Sequence, residues 1–403
     1  MPVLIRTAEV NLGSLELDGD NSVIPKLQVY PAAVEFPIGK ETRTESGSVP
    51  LMNMESTELR PGYSISRIIR GGWQLAGGHG PVNRERAIAD FNAFVSAGID
   101  TFDCADIYTG VESMIGEFIA GVRQQQGSDI ASKIKIHTKL VPDLDLLKTC
   151  DASSLEGIVN RSLTRLGVER LDLVQFFWWD LSIGNPVDTL LSLKLLQDKG
   201  KIRCLGVTNW DVDQIIPFVE GGLDIVSAQV QYSLLDNRPQ NQLTDWCCQN
   251  QVKLLCYGTL AGGFLTEAWL GKQDPGFEFE NRSLIKYRLI IKEFGSWDLF
   301  QTLLEIMKSI AVKHKVTVSA VAARYVLEQP QVGAVIIGAR YAADLESTLS
   351  IFRFALDRRD HRSLSVVLEE RDGPSGAVYG LEGNRLGRHG RIMKYNLNAG
   401  SGL

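Results

Sequence analysis

From about Arg67 the chain alternates short apolar runs with longer helical patterns, and it does so eight times. The runs are 67–71, 101–103, 134–139, 171–177, 202–207, 225–229, 253–257 and 334–337. Each is continuously apolar rather than alternating, as strands covered on both faces are. Between them a 3.6-residue spacing predicts helices over 84–97, 111–123, 153–166, 187–198, 212–220, 240–250 and 317–328. Asn83, Ser153 and Asp211 stand where N-caps belong, and Gly98, Gly200 and Gly221 where helices stop. Eight βα units in roughly 290 residues predict an α/β fold, a (β/α)8 TIM barrel.

A doubly wound sheet fits less well. It would want G-x-G-x-x-G after the first strand, and Gly71-Gly-Trp-Gln-Leu-Ala-Gly-Gly-His-Gly80 lacks that spacing. The expected organisation is an irregular N-terminal extension (1–60), a barrel (61–356) and a C-terminal tail (357–403). The extension carries nine acids against five bases, a poor composition for a transit peptide, and a short hairpin is expected over 27–36. The segment 266–297, with Gly271, Pro275 and Gly276, reads as a lid. The tail either folds back over the barrel or stays mobile.

In a TIM barrel the chemistry lies at the C-terminal ends of the strands. Asp103, Lys139, Phe177, Thr208, Asn209, Gln229 and Tyr257 all fall there. Polar groups ending several different strands are what an active site needs and a purely structural barrel does not. The net charge is −6 with no basic block, which argues against nucleic acid or an acidic membrane as partner. Six cysteines without a C-x-x-C pair and five histidines without close spacing suggest no metal site and a reducing, cytoplasmic setting. The expected partner is a small molecule.

The sequence resembles the aldo-keto reductases from about Tyr63 to Leu356. The resemblance rests on Asp100-Thr-Phe-Asp-Cys-Ala-Asp-Ile-Tyr108, Leu171-Asp-Leu-Val-Gln-Phe-Phe-Trp178, Gly206-Val-Thr-Asn209, Gln229-Val-Gln-Tyr232, Tyr257-Gly-Thr-Leu-Ala-Gly-Gly-Phe-Leu265 and Ile337-Gly-Ala-Arg340. It implies a TIM barrel that binds a nicotinamide cofactor, usually NADPH, without a Rossmann domain. By position Asp103, Tyr108 and Lys139 match three of the family's four catalytic residues. Thr208, Asn209 and Gln229 match the positions that hold the carboxamide, and Tyr257 the aromatic that stacks on the nicotinamide. The loop with Gly258, Leu260 and Gly262 matches the pyrophosphate-binding segment, and Arg340 the contact to the adenosine phosphate. Two positions depart from the pattern: the usual catalytic histidine falls at Phe177, and the usual Glu-Asn pair at adenine falls at Ser347-Thr348.

Chemically, acid, phenol and amine together make a proton donor. A free tyrosine titrates near 10, so a shift of about 3 units, roughly 4 kcal/mol, would suit donation at neutrality. One ammonium about 4 Å away supplies on the order of 4 kcal/mol at an effective dielectric near 20. Lys139 is therefore expected to draw the Tyr108 phenol down, with Asp103 holding Lys139 charged. Trp73, Phe177, Trp178 and Trp179 are expected to gather at the mouth and suit an apolar or aromatic substrate, with core packing sufficient to explain Trp179. His137 shares the Lys139 face one layer deeper and suits the core; His79, in the first loop, is placed to reach over the mouth. The primary expectation is an NADPH-dependent oxidoreductase acting on a carbonyl. Phe177 keeps two others open: a non-redox cyclase, isomerase or dehydratase on the same barrel, and a cofactor-binding regulatory protein.

Overall fold

The computed structural model describes residues 54–398. The expected hairpin over 27–36, and most of the N-terminal extension, lie outside the described residues. The described chain opens with a hairpin, β1 (Ser56–Arg60) and β2 (Tyr63–Ser66). Eight strands follow: β3 (Ile68–Gly71), β4 (Thr101–Asp103), β5 (Lys135–Leu140), β6 (Leu171–Phe176), β7 (Ile202–Thr208), β8 (Ile225–Gln231), β9 (Lys253–Tyr257) and β10 (Val332–Gly338). All eight pair in parallel with their sequence neighbours, and β10 returns to pair with β3, closing the barrel. The expected TIM barrel is the fold observed.

The barrel floor is apolar. Ile69, Leu173, Cys204, Val226, Leu255, Ala334 and Ile336 fill it, and Leu59, Tyr63 and Ile65 of the hairpin close it from below. Above this layer the interior turns polar. His137 is fully buried and hydrogen-bonded through Nε2 to the Tyr63 hydroxyl at 3.0 Å. Burial, and then the Lys139 and Lys135 charges, push it down to about 3, so it is a neutral core residue. The interior is too crowded at Gly206 for a side chain: a Cβ there would lie 2.4 Å from Ser227 Oγ and 2.9 Å from the Ser227 carbonyl.

The predicted helices are present, with two adjustments. The helix over 187–198 is two short helices, Pro186–Leu191 and Leu193–Asp198. The helix Ala152–Leu166 is capped by Asp151 rather than Ser153, with the Asp151 carboxylate accepting from Ser154 N–H. Asn83 and Asp211 cap as expected. Helices Arg282–Phe294, Trp297–His314 and Arg358–Leu368 are additions to the expected set. The first of these makes much of the lid segment helical.

The tail folds back across the C-terminal face of the barrel. Val378 N–H donates to Asp211 after β7, and Arg238 after β8 donates to the Ala377 carbonyl. Arg385 pairs with Asp180 after β6, and Asn396 and Leu397 bond Asp145 and Asp143 after β5. The Asn398 amide reaches Asp106 after β4. Loops following five successive strands are thus tied to one returning segment. Among the described residues, no helix is long and apolar enough to cross a membrane.

Candidate active site

The strand ends bring the catalytic candidates together. Asp103 closes β4, and Lys139 lies on β5 one position before its end. The Lys139 ammonium donates to Asp103 Oδ1 at 2.6 Å and to the Cys104 carbonyl at 2.9 Å. The other carboxylate oxygen of Asp103 accepts from Gln229 Nε2 at 2.7 Å and from Gln175 Nε2 at 3.5 Å. The Asp103–Lys139 pair is therefore buried and anchored in the sheet. Burial alone would lower the lysine, but Asp103 and then Tyr108 reverse the sign, and the ammonium is held above its ordinary value.

Tyr108 sits in the loop after β4, half-buried, with the Lys139 ammonium 4.9 Å from its ring centroid. The indole of Trp73 packs on it with ring centroids 5.1 Å apart. The phenol is not drawn down as expected. Lys139 does pull it down, but burial, the largest influence, together with the Asp103 charge, leaves Tyr108 above its ordinary value. The phenol is accordingly a protonated group at neutral pH.

Phe177 follows the last residue of β6 and is 5% exposed. It packs edge-on against Trp179 at 5.0 Å and against Tyr379 of the tail at 5.7 Å. Trp179 in turn stacks edge-on with Tyr395 at 4.9 Å. Of the two tryptophans expected at the mouth, only Trp179 lies there. Trp178 is a buried core residue whose indole N–H donates to the Ile183 carbonyl, while Trp179 joins the aromatic wall that the tail completes. His79 and Trp73 both bond Ser283 Oγ at the start of the lid helix, at 2.9 and 3.1 Å. The first loop is thereby tied to the lid.

The candidate cofactor positions line the same face. Thr208 ends β7, and its hydroxyl donates to the Gln229 carbonyl. Asn209 follows with φ 61°, a left-handed backbone uncommon for a non-glycine residue, and its Oδ1 accepts from the Tyr257 hydroxyl at 2.8 Å. Beyond Tyr257 the chain turns through Gly258, Leu260 and Gly262. Gly258 and Gly262 have φ of 71° and 65°. Tyr287 of the lid helix lies against this turn: Cβ atoms at Gly258 and Gly262 would fall 2.4 Å from its Oη and 2.6 Å from its Cδ2. Arg340 follows β10 by two residues, with Nη1 3.3 Å from where a Gly80 Cβ would be. Ser347 and Thr348 are engaged locally, Ser347 with Thr317 and Thr348 with the Asp344 carbonyl.

Residues that the sequence pattern does not single out complete the site. Gln175 is a lone amide in an apolar run, which is a legible signal. Arg238, Lys286 and Glu382 are far apart in sequence and carry no such signal. They form a buried ionic group beside Tyr257, with the Lys286 ammonium 5.2 Å from the Tyr257 ring centroid.

Comparison with known proteins bears on the family and the fold. The family model described as the aldo/keto reductase family matches residues 67–369. The aldo-keto reductase YhdN of Bacillus subtilis (strain 168) is 26% identical over 321 residues, covering 78% of this chain and 94% of that protein. The NADH-specific methylglyoxal reductase of Escherichia coli (strain K12) is 25% identical, covering 76% of this chain and 95% of that protein. Among solved structures, a glycerol dehydrogenase from Gluconobacter oxydans superposes with a TM-score of 0.66 at 22% identity, over 81% of this chain and 98% of that one. With its barrel, its Asp103–Lys139 pair and a family match over most of its length, the chain belongs to the aldo/keto reductase family.

Proposed function

We propose that the protein is an NADPH-dependent oxidoreductase that acts on the carbonyl of an apolar or aromatic small molecule, with Tyr108 as proton donor. The observation that carries this reading is the buried Asp103–Lys139 pair beside the protonated Tyr108 phenol. Several features suit the cofactor. The Gly258–Gly262 turn adopts left-handed glycine conformations, and the Thr259 hydroxyl within it is buried without a hydrogen-bond partner among the described residues. Thr208, Asn209, Gln229 and Tyr257 would hold the nicotinamide end, Gly258, Leu260 and Gly262 the diphosphate, and Arg340 the adenosine phosphate. The guanidinium of Arg340 suits a 2′-phosphate, which favours NADPH. When bound, the reduced nicotinamide supplies a hydride.

The chain's own residues supply the rest. Tyr108 gives its proton to the carbonyl oxygen as negative charge develops there, a contribution of about 100- to 10,000-fold for a positioned acid. Lys139 stabilises the phenolate that remains. Asp103 fixes Lys139, and Gln229 and Gln175 fix Asp103. Trp73, Phe177 and Trp179 offer an apolar wall and no second proton donor. All six cysteines are free thiols, in keeping with a cytoplasmic location. The test is turnover of an aromatic aldehyde by the purified protein with NADPH and, in parallel, NADH. Absence of turnover with both would remove the reading.

Phe177 favours a second reading, a non-redox enzyme or a cofactor-binding regulatory protein on the same barrel. Phe177→His separates the two. A variant that gains aldehyde reduction absent from the wild type supports the second reading.

A further inference from the structure

Beside Tyr257, two cations from different elements converge on one carboxylate of the tail. Glu382 is 0% exposed. Its oxygens accept from Arg238 Nη1 at 3.1 Å and Nη2 at 3.3 Å, and Lys286 Nζ lies 3.5 Å away. Arg238 is also paired with Asp236 at 2.7 Å, and Asp236 accepts from Gln231. Two cations and two carboxylates therefore balance, and the balance depends on the tail. Without Glu382 the group carries one net positive charge.

This group adjoins the glycine turn. Lys286 precedes Tyr287, the residue seated against Gly258 and Gly262, and its ammonium faces both the Tyr257 and Tyr287 rings, at 5.2 and 5.5 Å. Three residues before Glu382, Tyr379 packs on Phe177. One tail segment thus touches both the aromatic wall and the cationic pair. We propose that Lys286 and Arg238 form an anion subsite for the diphosphate of a nicotinamide dinucleotide, and that Glu382 is its resident occupant, displaced when the dinucleotide binds. A diphosphate brings more negative charge than one carboxylate and accepts charge-assisted hydrogen bonds from the same two donors. Exchange of one anion for another avoids leaving the cations buried and unpaired. The other attachments of the tail, at Asp180, Asp143 and Asp145, do not involve the cationic pair and can hold the segment while Glu382 leaves.

The inference rests on the oxidoreductase reading, and its test separates the two. NADPH association is followed by nicotinamide fluorescence in a stopped-flow instrument for the wild type, Glu382→Gln and Arg385→Ala. Hydrogen exchange of residues 377–384 is measured in the wild type with and without NADPH. Glu382→Gln is expected to bind at least about 10-fold faster. Arg385→Ala, which alters a partly exposed contact and keeps the fold, is expected to bind about 2-fold faster. NADPH is expected to increase exchange in 377–384. Binding at equal rates in all three, with 377–384 as protected as in the free protein, would overturn the subsite and leave the oxidoreductase reading standing. Failure of all three proteins to bind either NADPH or NADH would overturn both.

Discussion

Two buried ionic groups face the barrel mouth, and they are built in opposite ways. Asp103 and Lys139 belong to neighbouring strands, and the amides that brace them come from β6 and β8. Every member rides on the closed sheet. Arg238, Lys286 and Glu382 come from a loop, the lid helix and the tail. The first group cannot separate without disrupting the barrel, whereas the second can separate by moving a surface segment. Rigid placement suits proton transfer, where small displacements are costly. Assembly from peripheral pieces suits a site that must open and close.

Substitutions at each group sharpen this contrast. The largest effect is expected for Lys139→Met. It leaves Asp103 buried against amides alone, and removes the charge that, on the proposed mechanism, would stabilise a Tyr108 phenolate. Aldehyde reduction should fall about 1,000-fold, and urea unfolding should show a loss of about 4 kcal/mol. Retention of both rate and stability would show that the sheet-borne pair is not the centre of the site.

Glu382→Ala comes next. Arg238 keeps Asp236, so the expected cost is smaller, about 3 kcal/mol by urea unfolding. A loss as large as that for Lys139→Met would mean the tail is as integral as the strands.

Asp106 offers a third buried carboxylate, bonded to Val141 N–H and to the Asn398 amide. Burial, and then the Glu112 charge, push it up to about 8. Its folded-state value lies above that of the unfolded chain, so the folded protein holds the extra proton between about pH 4 and pH 8. The associated stability is present at acid pH and is lost as pH rises through that window. Asp106→Asn should therefore be more stable than the wild type at about pH 8, by on the order of 2 kcal/mol, with the gap narrowing by about pH 5. Thermal melts at the two pH values check this, and a gap independent of pH would contradict it.

The smallest effect is expected for Arg385→Ala. Its partner Asp180 is partly exposed, and the change in unfolding free energy should stay within about 0.5 kcal/mol.

What can be read from the sequence follows the same division. Local pattern determines strands, and strand ends in a parallel barrel share one face. Asp103, Lys139, Gln229 and Tyr257 can therefore be placed together before any coordinates. Gln175, the one uncharged polar residue in its run, carries a weaker signal and is not among the expected site residues. Strand pattern gives no side-chain direction past the end of β6 at Phe176, which is why Trp178, expected at the mouth, proves to be a buried core residue. The lid helices are obscured by the turn residues Gly271, Pro275 and Gly276 nearby. The Lys286–Glu382 contact joins segments with no shared periodicity, and only the path of the tail brings them together. Burial also defeats the simple electrostatic expectation for Tyr108, because desolvation outweighs the nearby ammonium.

The central claim is that the protonated Tyr108 phenol delivers the proton in carbonyl reduction. The most direct measurement is the single-turnover rate of NADPH oxidation by an aromatic aldehyde in Tyr108→Phe, with near-UV circular dichroism confirming the fold. The account predicts a loss of about 100-fold or more with NADPH affinity retained; a rate equal to the wild type would contradict it.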